Sequence, residues 1–449
     1  MSAAAGTGLR VRDVARLGLA QVAVGAVAAL MLSTLNRVMV VELRLLASVP
    51  SALVALHFVV QLARARMGFA SDGAGARGRA RWVAGGGVAL GLGAALAAAG
   101  TAWAASSPRA GIAVCVLAYT LIGLGLSATG TALLATVAER SAPARLGGTA
   151  ATLWILMIVG IVLSAGITGK LLDPFSPARL VAVGTGVGVA AAVLAAIAAT
   201  SPAMRGGPTP ARVSTQAAPA PSFAEAWRAA AREPATRRFA GFVFLAMLAF
   251  SAQDLILEPF AGAVFNLTVG ESTRLGGLQN AAVLAGMILG GVLSARLGSL
   301  RGWAAGGCLG SAAAFVLLAQ TPAIGSVAVL RVAVLALGFA NGLFTVGGVG
   351  GMMALTASPD GRREHGLRLG LFGAVQAVAY GTGGLFGGVA TDVARLALGS
   401  PAAGYAAVFT LEAVLFAGAA LLALRSAPRG RLAAARVGER GADLVSVLS

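Results

Sequence analysis

Residues 83–105 read VAGGGVALGLGAALAAAGTAWAA, and this stretch restricts the fold more than any other. It has no ionisable side chain across 23 residues, which would extend about 34 Å as an α-helix. That length matches the hydrocarbon core of a bilayer, about 30 Å thick. Its glycines and alanines would weaken a helix in water, but in lipid they let neighbouring helices approach closely. The stretch therefore predicts a membrane-spanning helix packed against other helices.

The same composition recurs along the chain, at 110–138, 148–168 and 179–200. Of 449 residues, 58% are hydrophobic and 11% are charged, and the mean hydropathy is +0.86. An ordinary soluble domain carries about 25% charged residues, so this chain lacks the polar surface that a water-soluble fold needs. We predict a polytopic, all-α membrane protein.

Apolar runs between charged or Pro- and Gly-rich breaks predict twelve transmembrane helices. Six fall at 17–43, 45–62, 83–105, 110–138, 148–168 and 179–200, and six at 239–260, 275–296, 302–320, 326–356, 367–392 and 402–424. The predicted organisation is an N-terminal half (1–200), a cytoplasmic linker (201–238), a C-terminal half (239–424) and a cytoplasmic tail (425–449). This six-plus-six plan resembles the major facilitator superfamily, whose halves rock about a central site.

The formal net charge of +18 is explained by where the basic residues lie. Of 34 Lys and Arg residues, 26 fall in the N-terminal segment, the tail and the loops on one side of the predicted helices. The positive-inside rule assigns that side, with both termini, to the cytoplasm. Membrane topology and anionic lipid therefore account for the charge, and nucleic acid is not an expected partner.

Polar residues at membrane depth are costly and are candidate functional groups. They cluster at the end of the first helix and in the seventh: Asn36, Arg37, Glu42, Gln253, Asp254 and Glu258. Asp254 and Glu258 are four apart and share one helix face, and Pro259 should end or kink that helix. The two carboxylates either relay a proton or accept a cationic ligand, or they pair with Arg37 or Arg274 as a structural link.

His57 is the one histidine within a predicted span, because His365 lies in a predicted loop. A buried imidazole can be a hydrogen-bonded core residue, an axial ligand to a metal in a macrocycle, or a proton carrier. The sequence leaves these three alternatives open.

Glycines at four-residue spacing mark one face of the tenth and eleventh helices. The pairs are Gly347 with Gly351, Gly383 with Gly387, and Gly384 with Gly388. Such faces favour close helix packing, and the alternative is a flat, lipid-facing groove for a large planar ligand.

Several classes of activity lack their motifs. The fragment GITGK (166–170) does not have the spacing of a nucleotide-binding Gly-x-x-x-x-Gly-Lys loop. The run GLGLSATG (123–130) lies inside an apolar span without a preceding strand, which excludes a dinucleotide site. Cys115 and Cys308 lie in separate spans, so neither a disulfide framework nor a thiolate metal site is expected. We predict that the protein is not an enzyme.

Three stretches together resemble one branch of the major facilitator superfamily. They are LNRVMVVEL (35–43), RMGFASD (66–72) and FSAQDLILEPFAGAVF (250–265). The chain resembles the PucC/LhaA family, also called the bacteriochlorophyll delivery family, of phototrophic bacteria. By this resemblance the signature or gating residues are Asn36, Arg37, Glu42, Gly68, Asp72, Gln253, Asp254, Glu258 and Pro259. Gly68 and Asp72 also match the spacing of the superfamily's Gly-x-x-x-Asp-Arg loop, with the arginines displaced.

The resemblance implies a carrier that binds bacteriochlorophyll, or a late precursor, and delivers it to light-harvesting or reaction-centre subunits. His57 would be the magnesium ligand. The partners would be antenna polypeptides or reaction-centre subunits, with pigment-synthesis machinery also possible. The location would be the bacterial inner (intracytoplasmic) membrane. The alternatives are a proton-coupled secondary transporter of an amphipathic small molecule, using Asp254 or Glu258, and an assembly scaffold without pigment.

Overall fold

A computed structural model describes residues 9–63, 67, 75–141, 143–205, 234–294, 297, 299–356 and 362–426. In these residues the chain forms twelve helices of 13 residues or more. They are α1 (Val11–Glu42), α2 (Ser48–Val60), α3 (Gly75–Trp103), α4 (Pro108–Arg140), α5 (Pro143–Leu171), α6 (Pro177–Ala199), α7 (Pro234–Phe265), α8 (Val269–Ser294), α9 (Leu300–Ile324), α10 (Val327–Thr356), α11 (Arg362–Leu398) and α12 (Pro401–Ser426).

The helices confirm the predicted all-α membrane fold. Ten of them are long and apolar enough to cross a bilayer. The other two are α2, an apolar helix of 13 residues, and α11, of 37 residues. Each predicted span coincides with one helix. Gly68, Asp72 and most of the predicted linker and tail lie outside the described residues.

Proline sets the first residue of many helices. Pro108, Pro143, Pro177, Pro234 and Pro401 each begin one. Proline suits this position because the first N–H groups of a helix have no intrahelical acceptor, and its ring fixes φ near the helical value. Before α6, the Ser176 hydroxyl also accepts a hydrogen bond from the Arg179 N–H, at 3.2 Å.

The α1 helix departs from regular α geometry near its end. Residues Leu30–Leu35 and Val38–Glu42 are π-helical, and they flank Asn36 and Arg37. Such wide turns are rare and are often found at functional sites. Asn36 and Arg37, which the sequence singled out together with Glu42, therefore lie in the most irregular part of α1.

A proline inside α9 shows how these helices continue past a missing donor. Pro322 has no N–H, so it cannot bond the carbonyl oxygen of Leu318, four residues earlier. The Thr321 hydroxyl donates to that oxygen at 2.7 Å. A neighbouring side chain thus satisfies the orphaned carbonyl, and α9 continues to Ile324.

Contacts divide the chain into two units. The first holds the described residues up to 205, together with Ser251–Ala281 and Tyr380–Val408. In it, α3 packs on α4 and α6, α1 packs on α5 and α6, and α2 packs on α4. The second holds the described residues of 234–250, 282–379 and 409–426. The predicted division into sequence halves stays a prediction.

The second unit has an aromatic core. The Phe315 ring lies 5.7 Å from Phe416 and 5.9 Å from Phe409, and Phe344 lies 6.0 Å from Phe416. Glu412, between two of these residues on α12, is 0% exposed.

Close backbone contact in the first unit depends on glycine. A Cβ built on Gly91 of α3 would collide with the carbonyl oxygen of Gly188 of α6, and a Cβ on Gly188 would collide with that of Gly91. The obstacle is backbone on both sides, so it cannot turn away as a side chain could. Gly186, on the same helix, has nothing within 4 Å of the corresponding position.

We expect Gly188→Val to lower the free energy of unfolding by about 1–3 kcal/mol, because the added side chain forces α3 and α6 apart. Gly186→Val is the matched control and should leave stability nearly unchanged. Thermal unfolding of both purified variants in detergent checks this. Equal melting temperatures for the two would contradict the predicted contact.

Candidate functional site

Asn36 and Pro259, which the sequence placed in one signature, act on the same carbonyl group. Pro259 lies inside α7 and has no N–H, so it cannot bond the carbonyl oxygen of Leu255. The Asn36 side-chain amide of α1 donates to that oxygen at 2.7 Å. Asn36 is 1% exposed, so water does not compete for the bond. The amide of one helix thus replaces the donor that proline removed from another.

This contact corrects one expectation. The sequence predicted that the seventh helix would end or kink at Pro259, with its end at residue 260. The helix in fact runs on to Phe265. In a span, helical structure can continue past proline when a neighbour satisfies the freed carbonyl, and Asn36 does so.

Arg37 is buried beside Asn36, at 2% exposed, and it bonds on two sides. Its Nη1 donates to Glu42 Oε1 at 2.8 Å, and its Nη2 donates to the carbonyl oxygen of Leu267 at 2.8 Å. A Cβ on Gly262 would lie 2.5 Å from Arg37 Nε, so glycine leaves room for the guanidinium against α7. Arg37 therefore joins the end of α1 to the turn after α7.

In the described conformation neither Asp254 nor Glu258 forms an ion pair with Arg37 or Arg274, although Arg37 is near enough to Glu258 to act on its charge. Arg37 forms its ion pair with Glu42, and Arg274 forms one with Asp173, Nη2 to Oδ2 at 3.1 Å. Each arginine pairs with a carboxylate near the end of a helix. Glu42 lies five residues after Arg37 in α1, and Asp173, the partner of Arg274, lies two residues after the end of α5.

Glu258 and Asp254 differ in burial. Glu258 is 3% exposed, and its carboxylate lies against the backbone of α8 at Gly276, where a Cβ would collide with Oε1. Ser33 and Arg37 are near enough to act on its charge. Asp254 is half-buried, within electrostatic reach of Glu258 and Tyr380. Gln253 is 0% exposed. The two carboxylates are thus near one another, as their spacing on one helix face predicted.

His57 lies in α2, apart from these hydrogen bonds. It is 3% exposed, and its Nε2 lies 2.7 Å from the Gln61 side-chain nitrogen, one turn further along the chain. The Phe58 ring meets the imidazole edge-to-face, at 5.2 Å. A nitrogen engaged in this way has no open position for a metal. In the described conformation, His57 does not fit a magnesium ligand through Nε2.

The glycines of α10 and α11 pack closely. A Cβ on Gly347 would collide with the backbone of Ala304, and one on Gly387 would lie 3.0 Å from Ala252. A Cβ on Gly384 would lie 2.9 Å from a Leu255 methyl carbon. At these positions the contacts favour the packing interpretation over a lipid-facing groove.

An apolar groove instead lies between α3 and α4. It has a volume of about 530 Å³, within the usual range of small-molecule sites. Its lining includes Trp82, Gly85, Ala89, Leu124 and Gly125, with Arg81 as the charged residue.

The two glycines side by side in α3 differ in their surroundings. A Cβ on Gly86 would lie 2.8 Å from the Gly125 carbonyl oxygen, so the helices touch there. Gly85 has nothing within 4 Å and is exposed. The groove is therefore open beside a tight helix contact.

Sequence reasoning missed four polar side chains that link helix ends or neighbouring helices. The Thr34 and Thr273 hydroxyls lie 3.3 Å apart and link α1 to α8. Asp173 bonds the start of α8, and Asp392 bonds the start of α2. A carboxylate near the end of an apolar helix is a signal that could have drawn attention to Asp173 and Asp392.

We expect Asn36→Leu to destabilise the protein by about 1–3 kcal/mol, because it leaves the Leu255 carbonyl buried without a donor. In a Pro259→Ala background the same change should cost much less, since the N–H of the new alanine can bond Leu255 within α7. A double-mutant cycle on melting temperature in detergent measures the coupling. Equal costs in both backgrounds would refute the link between Asn36 and Pro259.

Comparison with known proteins finds relatives along most of the chain. A family model described as PUCC protein matches residues 34–429. A Rhodobacter capsulatus protein named "Bacteriochlorophyll synthase 44.5 kDa chain" is 43% identical over 411 residues, covering 91% of this chain and 94% of its own. Protein PucC of Cereibacter sphaeroides is 33% identical over 430 residues, covering 91% of each chain.

Solved structures with the same fold include transporters. A bacterial homolog to the human lysosomal transporter Spinster aligns with a TM-score of 0.69 at 14% identity, over 92% of this chain and 96% of its own. The nucleoside transporter NupG aligns with a TM-score of 0.66 at 13% identity, over 92% and 98%. The fold is that of the major facilitator superfamily. With a family model matched along most of its length, and relatives above 30% identity over nine-tenths of it, the chain belongs to the PUCC protein family.

Proposed function

We propose that this protein binds bacteriochlorophyll, or a late precursor, and passes it to light-harvesting or reaction-centre subunits as these assemble. Family membership over residues 34–429 carries the proposal. Its relatives come from phototrophic bacteria, and one is named for bacteriochlorophyll. In this proposal the protein performs no covalent chemistry, although that relative's name contains the word synthase.

The groove between α3 and α4 supports an apolar ligand. A phytylated chlorin is too apolar to cross water unassisted, so a carrier needs an apolar surface that the ligand can reach from the lipid. Gly85 offers such a surface, because it is exposed and has open space where a side chain would be. We place the pigment at this groove in the proposal.

The location and partners follow from the same proposal. In this proposal both termini lie in the cytoplasm, as the basic loops predict, and the membrane is the inner, intracytoplasmic one. Antenna polypeptides or reaction-centre subunits would receive the pigment, and pigment-synthesis enzymes would supply it.

Filling the groove tests the proposal. Gly85→Leu should remove pigment from the purified protein, because the leucine occupies the space beside Leu124 and no backbone blocks it. Gly186→Leu also adds a leucine where nothing lies within 4 Å, on α6, and should keep the pigment.

The measurement is the near-infrared absorption of protein purified in mild detergent from a bacteriochlorophyll-producing host, with pigment extracted and counted per chain. A colourless parent protein would contradict pigment binding. Equal pigment in both variants would exclude the groove as its site.

His57 as a magnesium ligand stays a prediction, and a pair of variants decides it. If the ring binds magnesium after Gln61 turns away, His57→Leu should lose pigment while Gln61→Leu keeps it. If His57 serves through its bond with Gln61, both variants should keep the pigment. The amount of each variant in the membrane is the control for folding.

A proton-coupled transporter of an amphipathic small molecule is the second candidate. The observation that favours it is the close placement of half-buried Asp254 and buried Glu258 on α7. It predicts flux into pigment-free vesicles that depends on a proton gradient and is lost in Glu258→Gln. Flux without the gradient, or none, would contradict it. A scaffold without pigment would instead copurify with antenna subunits and show no absorbance.

A further inference from the structure

Two helices carry the same spacing, Gly-x-x-x-Asp, at or near their ends. The end of α5 and the residues after it read GKLLD (169–173), and α11 reads GVATD (388–392) shortly before its end. Both therefore place an aspartate one turn after a glycine. By the positive-inside rule, these ends lie on the side opposite the cytoplasm, here called the outer side.

In α11, this element holds the start of α2. Asp392 Oδ1 accepts from the N–H of Ala47 at 2.8 Å, and Oδ2 accepts from the N–H of Ser48 at 2.8 Å. A Cβ on Gly388 would lie 2.7 Å from the Ala47 carbonyl oxygen and would collide with the Ser51 hydroxyl. The glycine brings the helices together, and the aspartate, 8% exposed, bonds two free amides.

In α5, the equivalent element holds the start of α8. Asp173 Oδ1 accepts from the N–H of Gly270 at 3.2 Å, and Oδ2 accepts from Arg274 at 3.1 Å. A Cβ on Gly169 would lie 2.7 Å from the Gly270 carbonyl oxygen. As in α11, a glycine contact is combined with an aspartate at a helix start, but here the carboxylate accepts from one backbone amide and one guanidinium.

The turns that lead into α2 and α8 also repeat. Arg44 and Asn266 both have a left-handed backbone, with φ of 55° and 53°. In each turn the N–H of the following residue bonds a carbonyl oxygen six residues back. Leu45 bonds Met39 at 3.0 Å, and Leu267 bonds Ala261 at 3.3 Å. A repeated turn thus presents each helix start to its aspartate.

We propose that Asp173 and Asp392 are a matched pair of latches that close the outer side of the protein. Each carboxylate bonds N–H groups at a helix start, where four donors lack intrahelical acceptors and the helix dipole is positive. Each aspartate bonds a helix of the other set of six. Asp173, after α5, bonds the start of α8, and Asp392, in α11, bonds the start of α2. All four helix ends belong to the first unit. Opening the outer side requires both latches to release.

This proposal does not depend on the ligand, so it stands or falls apart from pigment binding. The test uses the full chain with Cys115 and Cys308, both 0% exposed, replaced by alanine, and with Ser272→Cys as the reporter. Ser272 is 0% exposed in the first turn of α8. Labelling by a membrane-impermeant maleimide is timed on spheroplasts and on inverted vesicles.

We expect Asp173→Asn and Asp392→Asn each to speed labelling on spheroplasts, and the double variant to speed it most. An increase of about five- to thirty-fold corresponds to the loss of one or two hydrogen bonds. Glu271→Gln is the matched control. Glu271 caps the same helix start through the Thr268 N–H, at 3.0 Å, and among the described residues it bonds no second helix, so its loss should leave the rate unchanged.

Three results would overturn the latches: no faster labelling in the double variant, equal acceleration in Glu271→Gln, or acceleration seen in inverted vesicles instead of spheroplasts. If a variant fails to accumulate, amide hydrogen exchange of the parent protein still tests whether the aspartates hold the two helix starts. The Ala47, Ser48 and Gly270 amides should then exchange as slowly as those inside α2 and α8. Exchange as fast as in an uncapped first turn would refute the proposal.

Discussion

The bond from Asn36 to the Leu255 carbonyl meets a requirement that applies throughout the molecule: every backbone polar group inside the membrane needs a hydrogen-bond partner. Lipid offers no water to a backbone group that loses its partner, so each proline inside a span needs a substitute donor. For Pro322 the substitute is local, since Thr321 is its neighbour in sequence. For Pro259 it is Asn36, which lies 219 residues before Leu255, the residue whose carbonyl it bonds. That one carbonyl therefore ties α1 to α7, and it places the next residue, Arg37, within reach of Leu267.

Glycine is the second constraint, because it decides where helices touch and where they leave space. Gly91 and Gly188 bring α3 and α6 into backbone contact, and Gly86 does the same for α3 and α4. A Cβ on Gly85, next to Gly86, would have no atom within 4 Å, and the groove opens there. The rigid contact and the space for a ligand thus come from adjacent residues of one helix.

The fold could be predicted from sequence because the hydropathy and length of each span can be read from consecutive residues. Proline also marks the first residue of many helices. The site could be predicted in part. Resemblance singled out Asn36, Arg37 and Pro259, but not that an amide replaces the proline's missing donor. The partner of Arg274 was missed because charge alone does not choose among carboxylates. Asp392 was missed because it bonds backbone amides 344 and 345 residues away, and backbone amides have no signature of their own in a sequence.

The π-helical turns of α1 have a consequence for how the gene can change. A π turn holds one residue more than an α turn, so the length of 30–42 sets the direction in which Asn36 and Arg37 point. Losing a single codon there would leave the span long enough and apolar enough, yet turn everything beyond it by about 100°. Apolar side chains of this segment can be exchanged for others of similar size, while its length, Asn36 and Arg37 are held fixed by bonds to α7 and the turn after it.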